Sequence, residues 1–212
     1  MNNTAEYKDV YINDIREDIN NSNFPEYKHI LNYSKCNARI YQDLTIIGDL
    51  NLDESIEGVC VIIIEGNLTV EGNIYNEDGT YLYVKGKTTA KNIITGDPVV
   101  SLNEVEIENF MVCWGNNGQL NAKSIKTKIF INYDLHIDCQ DLNITLSYDS
   151  EYQGKYSDDL EDFEEDVINK HHSEFITYDV ENDDQFFDIG EQIKKGNDLK
   201  LADIMINSAK NA

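Results

Sequence analysis

The stretch from Leu44 to Ile94 constrains this chain more than any other. It reads LTIIGDLNL, then VIIIEGNLTVEGNI, then YLYVKGKTTAKNII. Short alternating or continuous apolar runs each end in Gly-Asp, Gly-Asn or Gly-Lys, and the next run begins a few residues later. Alternation at period two marks half-buried strands, and glycine marks the bends between them. The glycine-led phrase recurs at Gly48, Gly66 and Gly86, a spacing of about 18 to 20 residues that lies within the range for solenoid repeats. The pattern predicts an all-β, single-domain parallel β-solenoid. Right-handed coils are expected, since parallel crossover connections have that hand.

The repeat continues to about Tyr148 with declining clarity. A shift of about 37 residues, or two coils, lays Leu68 and Val70 on Val105 and Ile107, and Ile74 on Met111. One extra residue of offset then lays Leu82, Val84 and Ile93 on Leu120, Ala122 and Ile131. Gly66 and Gly72 fall on Asn103 and Asn109; Asn is the best substitute where positive φ is needed, so these exchanges are expected to preserve the bends. Ile, Val and Leu take the inward positions, while Thr69, Glu71, Lys85, Lys87, Glu106 and Glu108 alternate outward. An interior so narrow leaves no room for a ligand, so any site lies on an outer face or at an end.

Three regions follow. Residues 1–39 form an N-terminal capping segment, with Tyr7, Val10, Tyr11, Ile15 and Ile19 near helical spacing, as a short helix or a strand–helix cap. Residues 40–148 are the solenoid. Residues 149–212 form an acidic helix and a helical tail packed on the solenoid. Within them, Leu160, Phe163, Val167 and Ile168 have helical spacing, and a second short helix stops at Gly196. Met205 to Ala212 is expected to fray.

Charge is the strongest compositional signal. Forty acidic against 17 basic residues give a formal net charge of −23, a field that repels nucleic acid and anionic membranes and attracts a basic protein partner. No apolar run approaches the ~18 residues of a membrane span, and the first twenty residues lack a signal-peptide core. Cys36, Cys60, Cys113 and Cys139 are widely spaced and mostly sit in apolar runs, which predicts buried, unpaired thiols. The expectation is a cytoplasmic protein.

Motifs for chemistry are sparse. The acidic run Asp158, Asp159, Glu161, Asp162, Glu164, Glu165 and Asp166 lacks the spacing of a calcium loop, and no zincin, P-loop, dinucleotide or nucleophile-elbow motif occurs. No catalytic residue, metal site or cofactor is expected. As a surface for basic residues the same run has better credentials. Trp114, in MVCWGNNGQL, is either a packed corner or an exposed anchor, tryptophan being enriched at interface hot spots. The candidate partner-binding residues are Asp158, Asp159, Glu161, Asp162, Glu164, Glu165, Trp114, Glu106 and Glu108.

The phrase VIIIEGNLTVEGNIYNEDGTYLYVKGKTTAKNIITG and the closing DQFFDIGEQIKKGNDL resemble a group of bacterial β-helical proteins, bactofilin-like or "polymer-forming" in their repeats. Such proteins are similar in type to those encoded beside polymorphic or contact-dependent toxins as immunity proteins. The resemblance implies a bacterial, non-enzymatic protein that binds a toxin domain, for instance a nuclease, whose substrate cleft is usually basic. It also implies an alternative, a self-assembling scaffold. That alternative is opposed by the extra segments at both ends and by the charge. A carbohydrate-active β-helix enzyme ranks third, because no large side loop is available to build a cleft.

Overall fold

The computed structural model describes residues 6–15, 37–52, 58–76, 80–96, 99–101, 103–114, 119–133, 135–149, 177–179, 184–186 and 189–211. The chain opens with β1 (Tyr7–Tyr11) and a 3-10 turn (Ile12–Ile15). The strands β2 (Asn37–Tyr41), β3 (Leu44–Ile46), β4 (Leu50–Asn51), β5 (Val59–Ile64), β6 (Leu68–Val70), β7 (Asn73–Asn76), β8 (Tyr81–Val84) and β9 (Thr88–Thr95) follow. Next come β10 (Val99–Ser101), β11 (Glu104–Cys113), β12 (Gln119–Asn132) and β13 (His136–Asp149), then β14 (Thr177–Asp179) and β15 (Asp184–Phe186). Helices α1 (Ile189–Lys194) and α2 (Asp198–Asn211) complete the described chain.

From β2 to β13 the chain is a parallel β-solenoid of about five turns. One wall is the sheet β2-β5-β8-β10, and the other sheet runs β13-β12-β11-β9-β6-β3 with β4 and β7 joined to it. That second sheet is folded at a corner. In the early coils two short strands meet there (β3 and β4, β6 and β7), whereas β9, β11 and β12 run through it, with register shifts before Phe110. The result is three walls around one core. Leu68, Thr88, Val105 and Ile125 stack in one column, and Ile74, Ile93, Met111 and Phe130 in another. Most of these residues lie in a buried apolar cluster that fills the interior, together with Leu44, Ile62, Leu82 and Leu120.

The 37-residue shift is therefore real for Leu68, Val70 and Ile74. Ile93 on Ile131 is not: Ile93 stacks through Met111 on Phe130, while Ile131 stacks through Val112 on Ile94. A one-residue slip in a strand changes the face. Ile93 belongs to the interior and Ile131 to a second cluster outside it.

The glycine phrase has a cause other than the one read from sequence. Positive φ occurs at Gly48, Gly58 and Gly196, and not at Gly66, Gly72 or Gly86. At the first corner, Asp43 Oδ1 accepts the Asn67 N–H at 2.7 Å, and Asn67 Oδ1 accepts the Lys87 N–H at 2.8 Å. At the next corner Asp49 Oδ1 accepts the Asn73 N–H at 2.7 Å, and Asn92 Oδ1 accepts the Phe110 N–H at 2.9 Å. Each of these Asp or Asn side chains satisfies a bend N–H one coil further on. A Cβ on Gly66 would lie 2.9 Å from Asp43 Cγ, and one on Gly72 would lie 2.7 Å from the Gly48 carbonyl. Glycine stands there because the preceding coil fills the space. Asn at 103 and 109 consequently does not substitute for it through φ.

Both ends of the chain fold back on the solenoid. β1 pairs antiparallel with β2, opposing Tyr7 to Tyr41 and Asp9 to Arg39. Arg39 makes a two-pronged ion pair with Asp9 at 2.7 and 2.8 Å, and its guanidinium stacks 4.0 Å from the centre of the Tyr7 ring. A strand and a 3-10 turn, in place of the expected short helix, thus add to the edge of the first wall. Val10 and Ile12 join Ala38, Val61, Ile63 and Tyr83 in a cluster on the outer side of the first wall.

At the other terminus α1 ends at Gly196, whose φ of 77° lets its N–H and that of Asn197 cap the helix carbonyls. Beyond it the expected fraying is corrected. α2 reaches Asn211, and Leu201, Ala202 and Met205 are fully buried against Phe110, Ile129, Ile131 and Tyr148. An i, i+4 pair on one helix face (Leu201, Met205) buries a side chain per turn, and this packing holds the helix. The proposed helix over 157–172 lies outside the described residues.

The cysteine expectation also changes. Cys113 and Cys139 are free, but Cys60 is disulfide-bonded, and the remaining cysteine, Cys36, lies outside the described residues. Alkylation of unreduced, denatured protein should leave Cys60 unlabelled, and its labelling would contradict the bond.

Candidate functional site

Of the three walls, two carry apolar outer faces. That of the first wall includes Val61, Ile63 and Tyr83, all buried. The outer face of the third wall presents Tyr75, Ile94, Phe110, Val112, Ile129, Ile131, Leu146 and Tyr148, covered by α1 and α2. The helices are located by a polar clasp. Asp198, at the start of α2, accepts hydrogen bonds from Asn92 Nδ2 and Asn109 Nδ2, each 2.9 Å. Asn92 Nδ2 also donates to Asn73 Oδ1, and Lys128 Nζ to Asn109 Oδ1, both at 2.8 Å. A run of asparagines climbing one corner of the solenoid thus ends on the helix. Of these residues sequence reading singled out only Asn109, as a former glycine position.

The middle wall has a polar, open outer face. Its outward residues form three rows across β9 with the preceding Lys87, β11, β12 and β13; the pairing register fixes the second, and the third crosses the register shift in β11. The first is Lys87, Glu104, Ser124 and Asp141. The second is Thr89, Glu106, Lys126 and Asn143, and the third is Lys91, Glu108, Lys128 and Thr145. Read by strand, charge alternates: lysine on β9, glutamate on β11, lysine on β12, an aspartate on β13. The face holds a depression of about 440 Å³, lined by Thr89, Glu106, Glu108, Lys126, Lys128, Asn143 and Thr145 among others.

Within the face the stripes neutralise one another. Glu106 accepts from Lys87 Nζ and, at 2.6 Å, from Lys126 Nζ, and Lys85 pairs with Glu65 one coil below. Opposite charges on facing strand positions favour one register over its neighbours. The hydrogen bonds from Lys126 and then Lys87 hold the Glu106 carboxyl down at about 2, from an ordinary 4.5. A depressed carboxylate contributes stability that is present above its unfolded value and is lost as pH falls through the folded one. Between about pH 4.5 and 2 the wild type should therefore lose more stability than Glu106→Gln. The difference is modest because the pair is exposed. Parallel pH–stability curves for the two proteins would remove Glu106 as the cause.

The sequence-selected residues divide accordingly. Glu106 is engaged by two lysines, while Glu108 is exposed on the same face. Trp114 is half-buried and packs against the second cluster, its backbone N–H donating to the Thr95 carbonyl at 2.9 Å, so it is a corner residue. Asp158, Asp159, Glu161, Asp162, Glu164 and Glu165 lie outside the described residues. His136 is exposed at the start of β13. Among the described residues no group of His, Cys, Asp or Glu is arranged to hold a metal, and no helix is long and apolar enough to cross a membrane.

The fold and this face define a β-solenoid with two covered walls and one open, striped wall. Comparison of the chain with family models, curated proteins and solved structures gives no match.

Proposed function

We propose that this is a non-enzymatic acidic binding protein that neutralises a cognate bacterial toxin by direct contact with a basic domain. One observation carries the reading: the excess negative charge is concentrated in one stretch of the sequence. On the open wall Glu106 is matched by Lys87 and Lys126. Residues 151–188 carry 14 acidic residues against two lysines. Concentrated charge of one sign disfavours the compact state through self-repulsion. It gives a benefit when it attracts an oppositely charged partner and accelerates the encounter. A nuclease-like toxin, with a basic substrate cleft, has the complementary surface, and an acidic occupant of that cleft excludes nucleic acid.

The test is affinity capture from the source cells at low salt, with Asp158→Lys/Asp159→Lys/Glu161→Lys as a parallel bait. The expected outcome is a stoichiometric basic partner held by the wild type, released by high salt and depleted on the triple variant. Equal recovery on both baits would count against that segment as the steering surface.

A further inference from the structure

The order of the charge stripes on the open wall has a symmetry. From β9 to β13 the sequence is lysine, glutamate, lysine, aspartate (Lys87 and Lys91; Glu104, Glu106 and Glu108; Lys126 and Lys128; Asp141), four charges of each sign. A two-fold axis parallel to the strands, between β11 and β12, turns this face onto a second copy with the strand order reversed. Three charged pairs then meet with opposite sign: Glu106 faces Lys126 of the second copy, Glu108 faces its Lys128, and Lys87 faces its Asp141. Lys91 and Glu104 face the uncharged Thr145 and Ser124, and Thr89 faces Asn143. No pair in any row sets like charges together.

We infer that the open wall is a self-complementary surface through which two copies of this chain associate face to face about that axis. Isologous contacts demand a surface complementary to itself under a two-fold rotation, and alternating stripes of even number satisfy the demand where a single-signed face could not. Pairing within one sheet explains why neighbouring strands differ in sign. It does not require the wall as a whole to be neutral in a chain of net charge −23. The depression gives the long Glu108 and Lys128 side chains of the second copy room to enter. Because the pairing uses none of Asp158 to Glu165, it stands apart from the partner reading above. It also differs from association through the coil ends.

The size of the contact sets its strength. Four strands at about 4.8 Å spacing and about 20 Å of strand length give roughly 400 Å² per copy. The total falls below the standard interface range, so association is weak and concentration-dependent. The experiment is sedimentation equilibrium near physiological ionic strength at up to roughly 1 mM, the range such an interface populates, on the wild type, Glu108→Lys and Lys128→Glu. The mass of the wild type should rise toward twice 24.3 kDa. Each variant alone faces like charge with like charge and should stay monomeric. An equimolar mixture of the two variants restores both oppositely charged pairs and should recover the dimer. A monomeric wild type, dimeric single variants or a monomeric mixture each overturns the inference. Should Lys128→Glu fail to fold, carbodiimide cross-linking of mixed 15N-labelled and unlabelled wild type decides. Mixed-isotope products joining Glu108 to Lys128 are expected, and their absence has the same consequence as a monomer.

Discussion

Replacing Gly86 by Ala should destabilise the protein by about 3 kcal/mol, as overpacking of a site that cannot relax. The added Cβ would lie 2.5 Å from Asn67 Oδ1 and 2.6 Å from the Gly66 carbonyl carbon. Both belong to the coil below, and both take part in hydrogen bonds that hold the stack. The Gly66 carbonyl accepts the Gly86 N–H at 2.8 Å, and Asn67 Oδ1 accepts the Lys87 N–H at 2.8 Å. Backbone cannot step aside as a flexible side chain can, so the two coils separate locally and both bonds lengthen. Gly48→Ala provides the contrast. Nothing lies within 4 Å of a Cβ there, and φ is +93°, so the cost is that of left-handed backbone, about 1–2 kcal/mol. Urea denaturation of the two variants separates the explanations. A smaller loss at Gly86 than at Gly48 would mean that backbone conformation, and not coil-to-coil approach, selects glycine in the repeat.

Met205→Ala should cost about 2–5 kcal/mol, the range for a large-to-small change in a core. Met205 is fully buried with Leu201 and Ala202 in the cluster that seals the outer face of the third wall. Shortening it leaves a cavity between α2 and the sheet and weakens the cover over Phe110 and Ile131. Asp203→Ala, on the exposed side of the same helix, should change stability by less than about 0.5 kcal/mol. Equal, small effects at both positions would show that the end of the chain frays after all.

Legibility in the sequence followed the range of the interaction concerned. The solenoid was readable because its cause is local and repeated: alternating apolar residues such as Leu68 and Val70, and a bend at each coil. The stacking register was readable until Ile93, where the strand distortion before Phe110 shifts pairing within β11 and moves Ile131 to the other face. No local pattern announces such a distortion. The role of Gly66, Gly72 and Gly86 was hidden for a similar reason, since the obstructing Asp43, Asp49 and Gly66 atoms are some 20 residues away in sequence. α2 looked weak because its composition is nearly balanced between polar and apolar. What fixes it is tertiary, namely the clasp of Asp198 on Asn92 and Asn109 and the burial of Met205.

On the site, sequence reading identified the outward acids of the solenoid but not their company. Glu106 and Glu108 lie on β11, and the lysines that balance Glu106 lie just before β9 and on β12, about 20 residues away on either side. Only the register brings these strands together and turns an acidic count into neutral stripes. This redistribution directs the partner reading away from the open wall and toward the acids of residues 151–188.

The most direct test of that reading is the association rate with the purified basic partner, followed by stopped flow from low to high ionic strength. A rate steered by the acidic field should fall steeply with salt, and more shallowly for Asp158→Lys/Asp159→Lys/Glu161→Lys, with the wild type roughly tenfold faster or more at low salt. A rate indifferent to salt, and the same for both proteins, would contradict it.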